Sequence, residues 1–463
     1  MPNRHPPFGH LALALGVLLL VAAPVAARPR ADRPASLAVL ATVPGGRHPE
    51  GLALDSVAGL LFVLDIGSYN PKDPPLGGSS LRVLSTADGR LLRTIPLSPL
   101  SSAFAYGGGY GGYLALDRPR HRLYVIEDGG EGTDAAAAPL TPPDVRVLDT
   151  RTGTTLARVP QRARTLAVDE ATGRAFSAAT ILHPEGGPSY ALLDAATGQP
   201  VASFGDRSIG ALALDPAGGR VYVALGDRSP CPSAHPTCPD TTLLALASRS
   251  GRALWSGRFA GLGRLAAFDP PGRLLAFSGR DGSVRGTTLG ILDVLDAATG
   301  ASTARTTGVR PIGPAVASDP ARAEAYVLSQ SETETKGILV LDLRTGRPVR
   351  TLPRVGAHLP HYPSHFVGEG TLLVADPPHR RLLGVAESYQ VYGPDAAPST
   401  AYLEDAQTGS LLGQARIGLH PAALALDPAT GHAFVANAQD GTITVLGLSP
   451  NGQAPPTAPP GTP

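Results

Sequence analysis

The chain has 463 residues, a formal net charge of +1 and an aromatic content of only 5%. Lys occurs only at positions 72 and 336, and the many Arg are scattered singly among Asp and Gly, so no basic stripe exists to follow a phosphate backbone and nucleic acid is excluded as a partner. The bias towards Arg, Ala, Gly and Pro reads as the signature of a GC-rich coding sequence, although abundant Arg and Pro would also suit a warm habitat.

In chain order, the first element is a positive n-region at Arg4, an apolar run over Leu11 to Ala23, and the small residues Val25-Ala26-Ala27 before Arg28. This is the pattern of a secretory signal peptide spanning 1–27, and the mature protein is expected to be periplasmic, extracellular or on the cell surface. The run is shorter than the roughly 20 residues of a bilayer span, so removal is expected rather than retention as an anchor, and no later segment reads as a membrane span. Residues 28–36 form a polar lead-in, residues 37–448 a single domain, and residues 449–463 (SPNGQAPPTAPPGTP) a tail too rich in Pro and Gly to pack. The two cysteines, Cys231 and Cys238, lie in one Pro-flanked loop; in an oxidising compartment they are expected to form a local disulfide worth about 2–3 kcal/mol.

Within the central domain a phrase recurs eight times, ending at Asp55, Asp117, Asp169, Asp215, Asp269, Asp319, Asp376 and Asp427, with gaps of 62, 52, 46, 54, 50, 57 and 51 residues. Such a period predicts an all-β fold, a β-propeller. The fourth unit shows how one blade is built. Ala211 to Leu214 is an apolar inner strand, Asp215-Pro216-Ala217-Gly218-Gly219 is a turn, Arg220 to Ala224 returns as a β-branched and aromatic strand, and Leu243 to Leu246 makes a third. A second tight turn, Ser250-Gly251, recurs as Thr152-Gly153, Thr197-Gly198, Thr299-Gly300, Thr345-Gly346 and Thr408-Gly409, each before a short outer strand. Four antiparallel strands per unit follow. The eighth unit lacks its outer strand, and Leu37 to Val43 (LAVLATV) stands where that strand would be, so the N-terminal strand is expected to complete the last blade and close the ring. Eight blades are predicted, or seven if the atypical unit around Leu372 to Asp376 is an insertion.

Leu123-Tyr124-Val125, Val221-Tyr222-Val223, Ala325-Tyr326-Val327 and Phe434-Val435-Ala436-Asn437, each between an LALDPATG-like and a VLDxxTG-like phrase, resemble the YVTN-type β-propeller repeats of exported bacterial and archaeal proteins. The resemblance covers nearly all of the mature chain and implies the fold. It also implies similarity to lactonase-type and quinoprotein-type propellers, but brings no catalytic residue with it.

The connections between strands 1–2 and 3–4 are uniformly short, whereas those between 2–3 and 4–1 hold every insertion: Gly67 to Ser80, Ser98 to Gly112, Asp128 to Asp144, Gly226 to Asp240 and Ser388 to Ser399. Binding residues favour variable loops on a rigid scaffold, which places a site on the 2–3/4–1 face at the channel mouth. Simple loop drift is the competing explanation. Residues just before each marker Asp are the candidates: His48, Glu50, Tyr110, Arg162, Arg164, Arg264, Glu369 and His420. His48-Pro49 and His420-Pro421 belong to units that become neighbours on closure, so the two imidazoles are candidates to share a divalent metal or a proton-transfer role. The alternative is that His-Pro merely begins a strand.

Two further clusters carry less. His358, His361 and His365 with Tyr362 have a ligand spacing only on a helix, which Pro360 and Pro363 oppose. The acidic stretch Glu127 to Asp134 has calcium-type oxygens without EF-hand spacing. No GxSxG, HExxH, CxxCH or phosphate loop is present. The expected function is therefore a non-catalytic, monomeric scaffold, without a cofactor, that binds a protein, peptide or glycan. A lactonase-type enzyme using Glu50, His48 and His420, and a structural cell-surface protein, are the alternatives.

Overall fold

A computed structural model describes residues 36–67, 78–98, 113–127, 143–181, 189–226, 240–260, 262–268, 272–278, 291–307, 310–330, 337–353, 372–386 and 397–449. They form eight four-stranded antiparallel sheets. Blade 1 holds β2 (Pro49–Asp55), β3 (Leu60–Asp65), β4 (Ser80–Ser85) and β5 (Leu91–Pro96), and blade 2 holds β6 (Leu114–Asp117), β7 (Arg122–Glu127), β8 (Asp144–Asp149) and β9 (Thr155–Pro160). Blade 3 runs β10 (Arg162–Asp169), β11 (Arg174–Ile181), β12 (Ser189–Asp194) and β13 (Pro200–Ser203); blade 4 runs β14 (Ser208–Asp215), β15 (Arg220–Gly226), β16 (Asp240–Ala247) and β17 (Ala253–Ala260). Blade 5 comprises β18 (Leu262–Phe268), β19 (Arg273–Ser278), β20 (Ile291–Asp296) and β21 (Ser302–Thr307), and blade 6 comprises β22 (Arg310–Asp319), β23 (Glu324–Gln330), β24 (Gly337–Asp342) and β25 (Arg347–Pro353). Blade 7 is β26 (Leu372–Asp376), β27 (Arg381–Ala386), β28 (Thr400–Asp405) and β29 (Leu411–Arg416).

Blade 8 closes the ring. Its order is β1 (Ser36–Pro44), β32 (Thr442–Ser449), β31 (His432–Asn437), β30 (Pro421–Asp427), with Ser36 opposite Ser449 and Pro44 opposite Thr442. The N-terminal strand thus supplies the outer strand, as the sequence predicts, and the unit around Leu372 to Asp376 is a complete blade, which removes the seven-blade alternative. The signal segment, the Cys231–Cys238 loop, the His358–His365 cluster and the tail beyond 449 lie outside the described residues, so the disulfide gains no structural support. Among the described residues no helix is long and apolar enough to cross a membrane.

The burial of each strand follows its radial position. Second strands are covered on both faces, as in Leu60–Asp65, where five of six residues are buried, because neighbouring sheets pack against each side. Outer strands such as Leu91–Pro96 bury one residue in six. The apolar core is accordingly divided among the blade boundaries: Phe62, Leu64, Leu81 and Val83 of blade 1 pack with Leu123, Val125 and Leu148 of blade 2, and Leu383, Val385 and Leu403 of blade 7 with Val435, Leu446 and Leu448 of blade 8.

Polar groups fix the turns and stitch blade to blade. Of the marker aspartates all but Asp269, which lies outside the described residues, end an inner strand and are buried. Five of them, Asp55, Asp169, Asp215, Asp319 and Asp427, accept amides of the following turn, as Asp169 does from Ala171 and Thr172 and Asp215 from Gly218. In the 3–4 turn, chiefly the Thr152 amide, against a smaller effect of burial, holds the Asp149 carboxyl below the ordinary value. In four blades the first residue of the second strand then reaches the backbone at the end of the next blade's third strand. Arg174 donates to the Ser248 carbonyl, Arg273 to Leu343 (2.9 Å), Arg381 to Ser449 (3.1 Å), and the His432 ring nitrogen lies 2.9 Å from Thr86 O. These arginines are structural ties, which corrects their reading as a compositional bias alone.

Candidate functional site

One end of the disc is plain and the other is not. Every 1–2 connection spans the same interval, from Asp55 to Leu60 through Asp427 to His432, whereas the 2–3 and 4–1 connections range from Pro160–Arg162 to Pro353–Leu372. On this elaborated face the chain enters five inner strands through a β-bulge, in which two residues oppose one on the partner strand. The unpaired residues are Glu50 in β2, Arg164 in β10, Gly210 in β14, Gly263 in β18 and Ala422 in β30. A bulge re-aims the side chain it carries, and Glu50 is the extra residue of β2. Nothing in the period-2 pattern announces a bulge, and the sequence reading missed this device.

The structure brings His48 and Glu50 together: Nδ1 of His48 lies 2.9 Å from Oε1 of Glu50, with the side chains 12% and 14% exposed. The buried Asp65, at the end of β3, accepts the amides of Arg47, His48 and Gly67 through one oxygen and faces the Ser80 hydroxyl with the other. This clamp fixes the backbone from which His48 projects. His420 occupies the equivalent place in blade 8, in a left-handed conformation (φ 52), and its carbonyl accepts the Ala438 amide as that of His48 accepts the Ile66 amide. The His-Pro units therefore do begin strands. Arg162 opens β10 and is half-buried; Arg164 and Arg264 are placed only by backbone register, in β10 and β18. Tyr110 and Glu369 lie outside the described residues.

Among the described residues no three His, Cys, Asp or Glu side chains are grouped to hold a metal, so the two-imidazole metal reading lacks a third ligand. The sole tryptophan, Trp255, is on the outer strand β17, where its indole donates to Ala297 O (3.2 Å) and its ring packs on Tyr222 (5.8 Å between centroids); it is not a channel-side stacking surface for a quinone.

A second charged group anchors the roots of two insertions. Buried Glu127, at the end of β7, accepts from Ser98 (2.7 Å), Arg146 (3.2 Å) and Arg158 (2.8 Å), and Arg158 also binds Asp144 (2.7 Å) at the start of β8. Burial, with the nearby Glu127 charge, pushes the Asp144 carboxyl above its ordinary value. These residues flank segments 99–112 and 128–142 and hold their bases together. At the plain end, a concavity of about 610 Å³ is lined by Ala115, Leu116, Leu166 and Val168 and clasped by Arg118 and Glu170 (2.8 and 2.9 Å).

With this geometry in view, comparisons with known proteins give the following. Among solved structures, BamB from Moraxella catarrhalis matches at 12% identity with a TM-score of 0.50, covering 89% of this chain and 99% of that one. Hydrazine synthase from Kuenenia stuttgartiensis matches at 12% identity and a TM-score of 0.43, covering 87% of this chain and 95% of that one. No curated protein matches. The YVTN-type repeats are those of a related propeller family, and that finer assignment is not confirmed. Residues 143–386, more than half of the chain and running from the third strand of blade 2 to the second strand of blade 7, match the family described as outer membrane protein assembly factor BamB, and the chain belongs to that family.

Proposed function

We propose that this protein is an exported, non-catalytic scaffold, periplasmic or at the cell surface, that binds protein through its 2–3/4–1 face and serves the assembly of outer membrane proteins. The observation that carries this reading is the asymmetry of the disc: constant turns on one face, and insertions, bulged strand entrances and the Glu127 network on the other. A rigid platform with one elaborated face suits recognition, and the family supplies the class of partner. The channel-mouth residues His48, Glu50, Arg162, Arg164, Arg264 and His420 belong to this surface in our reading, with Tyr110 and Glu369 as further members.

The test is binding of an outer membrane β-barrel polypeptide, diluted from denaturant, followed by fluorescence anisotropy. Replacing segments 128–142 and 227–239 by Asn-Gly turns is expected to weaken binding at least tenfold, while replacing the exposed plain-face residues Val57 and Arg151 by Ser leaves it unchanged. Equal binding by both variants would remove the reading. The contact between His48 and Glu50 favours a second reading, a small-molecule hydrolase of lactonase type, in which Glu50 orients the imidazole as a general base. Hydrolysis of a simple lactone that is abolished in Glu50→Gln would put that reading ahead.

A further inference from the structure

Between blades 6 and 7, on the plain face, the blade-to-blade tie differs from those made by Arg174, Arg273 and Arg381 and resembles the one that Trp255 of the outer strand β17 makes to Ala297 O. β23 begins with Glu324 where β11, β19 and β27 begin with arginine, so the donor to the next blade comes instead from the outer strand: Arg350 in β25 gives Nη2 to Ala406 O (3.1 Å). Arg350 also forms a fork on Glu324 (2.8 and 3.1 Å), whose Oε2 accepts from the Tyr326 hydroxyl (2.8 Å). Burial alone would raise the Glu324 carboxyl, but the Arg350 and Tyr326 bonds outweigh it and hold it below the ordinary value. The altered tie leaves a cavity of about 150 Å³ lined by Arg322, Glu324, Tyr326, Arg350, Arg380, Ala406 and Gln407.

Three observations point to an anion. Three guanidinium groups face one lining carboxylate; Arg350 is matched by Glu324 and Arg322 by Asp319 (2.8 Å), whereas Arg380 hydrogen-bonds only to the neutral Gln407 amide oxygen and meets the Asp405 carboxylate through charge alone. Asp405, behind that turn, already accepts the Gln407 and Thr408 amides and the Thr408 hydroxyl. The Nε of Arg350 is buried without a hydrogen-bond partner, a costly state for a charged donor. Arg380 also holds φ 56 at the turn position that Gly59, Gly173, Gly219, Gly272 and Gly431 fill in five other blades and His121 and Ala323 in the remaining two, a conformation that is strained for a residue with a Cβ. A long cation is thus kept where glycine is the easier choice. The volume, about five waters at ~30 Å³ each, suits a single tetrahedral or planar oxyanion and is below the range of roughly 300 Å³ upwards for larger ligands.

We propose that this cavity is a binding site for a small oxyanion, a phosphate or carboxylate group, held by Arg350, Arg380 and Arg322. Guanidinium forks match both geometries. The test is titration calorimetry of the whole mature protein with inorganic phosphate and, separately, malonate, at constant ionic strength. Saturable 1:1 binding of either is expected, and the better ligand tells which group the site takes. Arg380→Gly, which installs the glycine found there in five other blades and so threatens folding least, is expected to weaken binding at least tenfold without lowering the unfolding temperature. Arg350→Lys, which keeps the charge but removes the Nε donor, is expected to weaken it similarly, whereas Arg151→Ala on another blade has no effect. Absence of saturable binding of both anions at millimolar concentration, or equal affinity in Arg380→Gly and the wild type, would overturn the proposal.

Discussion

Asp215 shows what one repeated residue does. It is 3% exposed, accepts the Gly218 amide (2.7 Å) and Arg220 (2.9 Å), and lies 3.3 Å from the Tyr222 hydroxyl, which also bonds Ala297 O of the next blade (2.8 Å). One carboxylate thus sets a turn, neutralises a half-buried guanidinium and orients a tie between blades. Asp215→Ala is expected to cost about 2–3 kcal/mol in urea unfolding, since it strands charged and polar partners, while Asp215→Asn keeps an acceptor for Gly218 and recovers part of the loss. An unchanged midpoint in the Ala variant would contradict this. The turn role was legible in the DPAGG phrase. The ties were not, because they join residues such as Arg273 and Leu343 or Arg381 and Ser449, about 70 positions apart and in different repeats, and inspection of a single repeat shows only an arginine.

At the scale of the strand, the outer edges carry a device repeated in all eight blades. Each fourth strand is bulged opposite the same two residues of the third, leaving Leu40, Leu92, Leu156, Val201, Leu254, Thr303, Val349 and Leu412 as the extra residue. Outer strands are the edges that ring closure cannot protect, and a bulge breaks the ladder another chain would need. Leu156 and Val349 are each 52% exposed, so apolar burial does not account for the bulge there. Deleting Leu156 is expected to straighten β9 and make the apparent mass in light scattering rise with concentration relative to the wild type. A folded deletion variant that scatters like the wild type would show that the bulge is not protective. Strand number and order were readable from alternation and turn phrases, but a bulge inserts one residue without changing composition, so it left no mark.

For the whole molecule, the eightfold repeat and the N-terminal strand in blade 8 were visible in the sequence because closure depends on the count of strands, and the last unit lacks one. The candidate site was legible only in part. The His48–Glu50 contact involves a bulged residue that the sequence did not disclose, and two proposed residues, Tyr110 and Glu369, lie outside the described residues. What the fold does establish is two unlike faces on a ring whose cores lie between blades, so that loops on one face can vary without disturbing packing. The measurement that bears most directly on the proposed binding face is site-specific photo-crosslinking in cells, with the probe at Arg47, Asp206 or Asp440 on the elaborated face and at Val57, Arg151 or Arg344 on the plain face. Protein adducts from the first set and none from the second are the predicted result; adducts confined to the plain face would contradict the account.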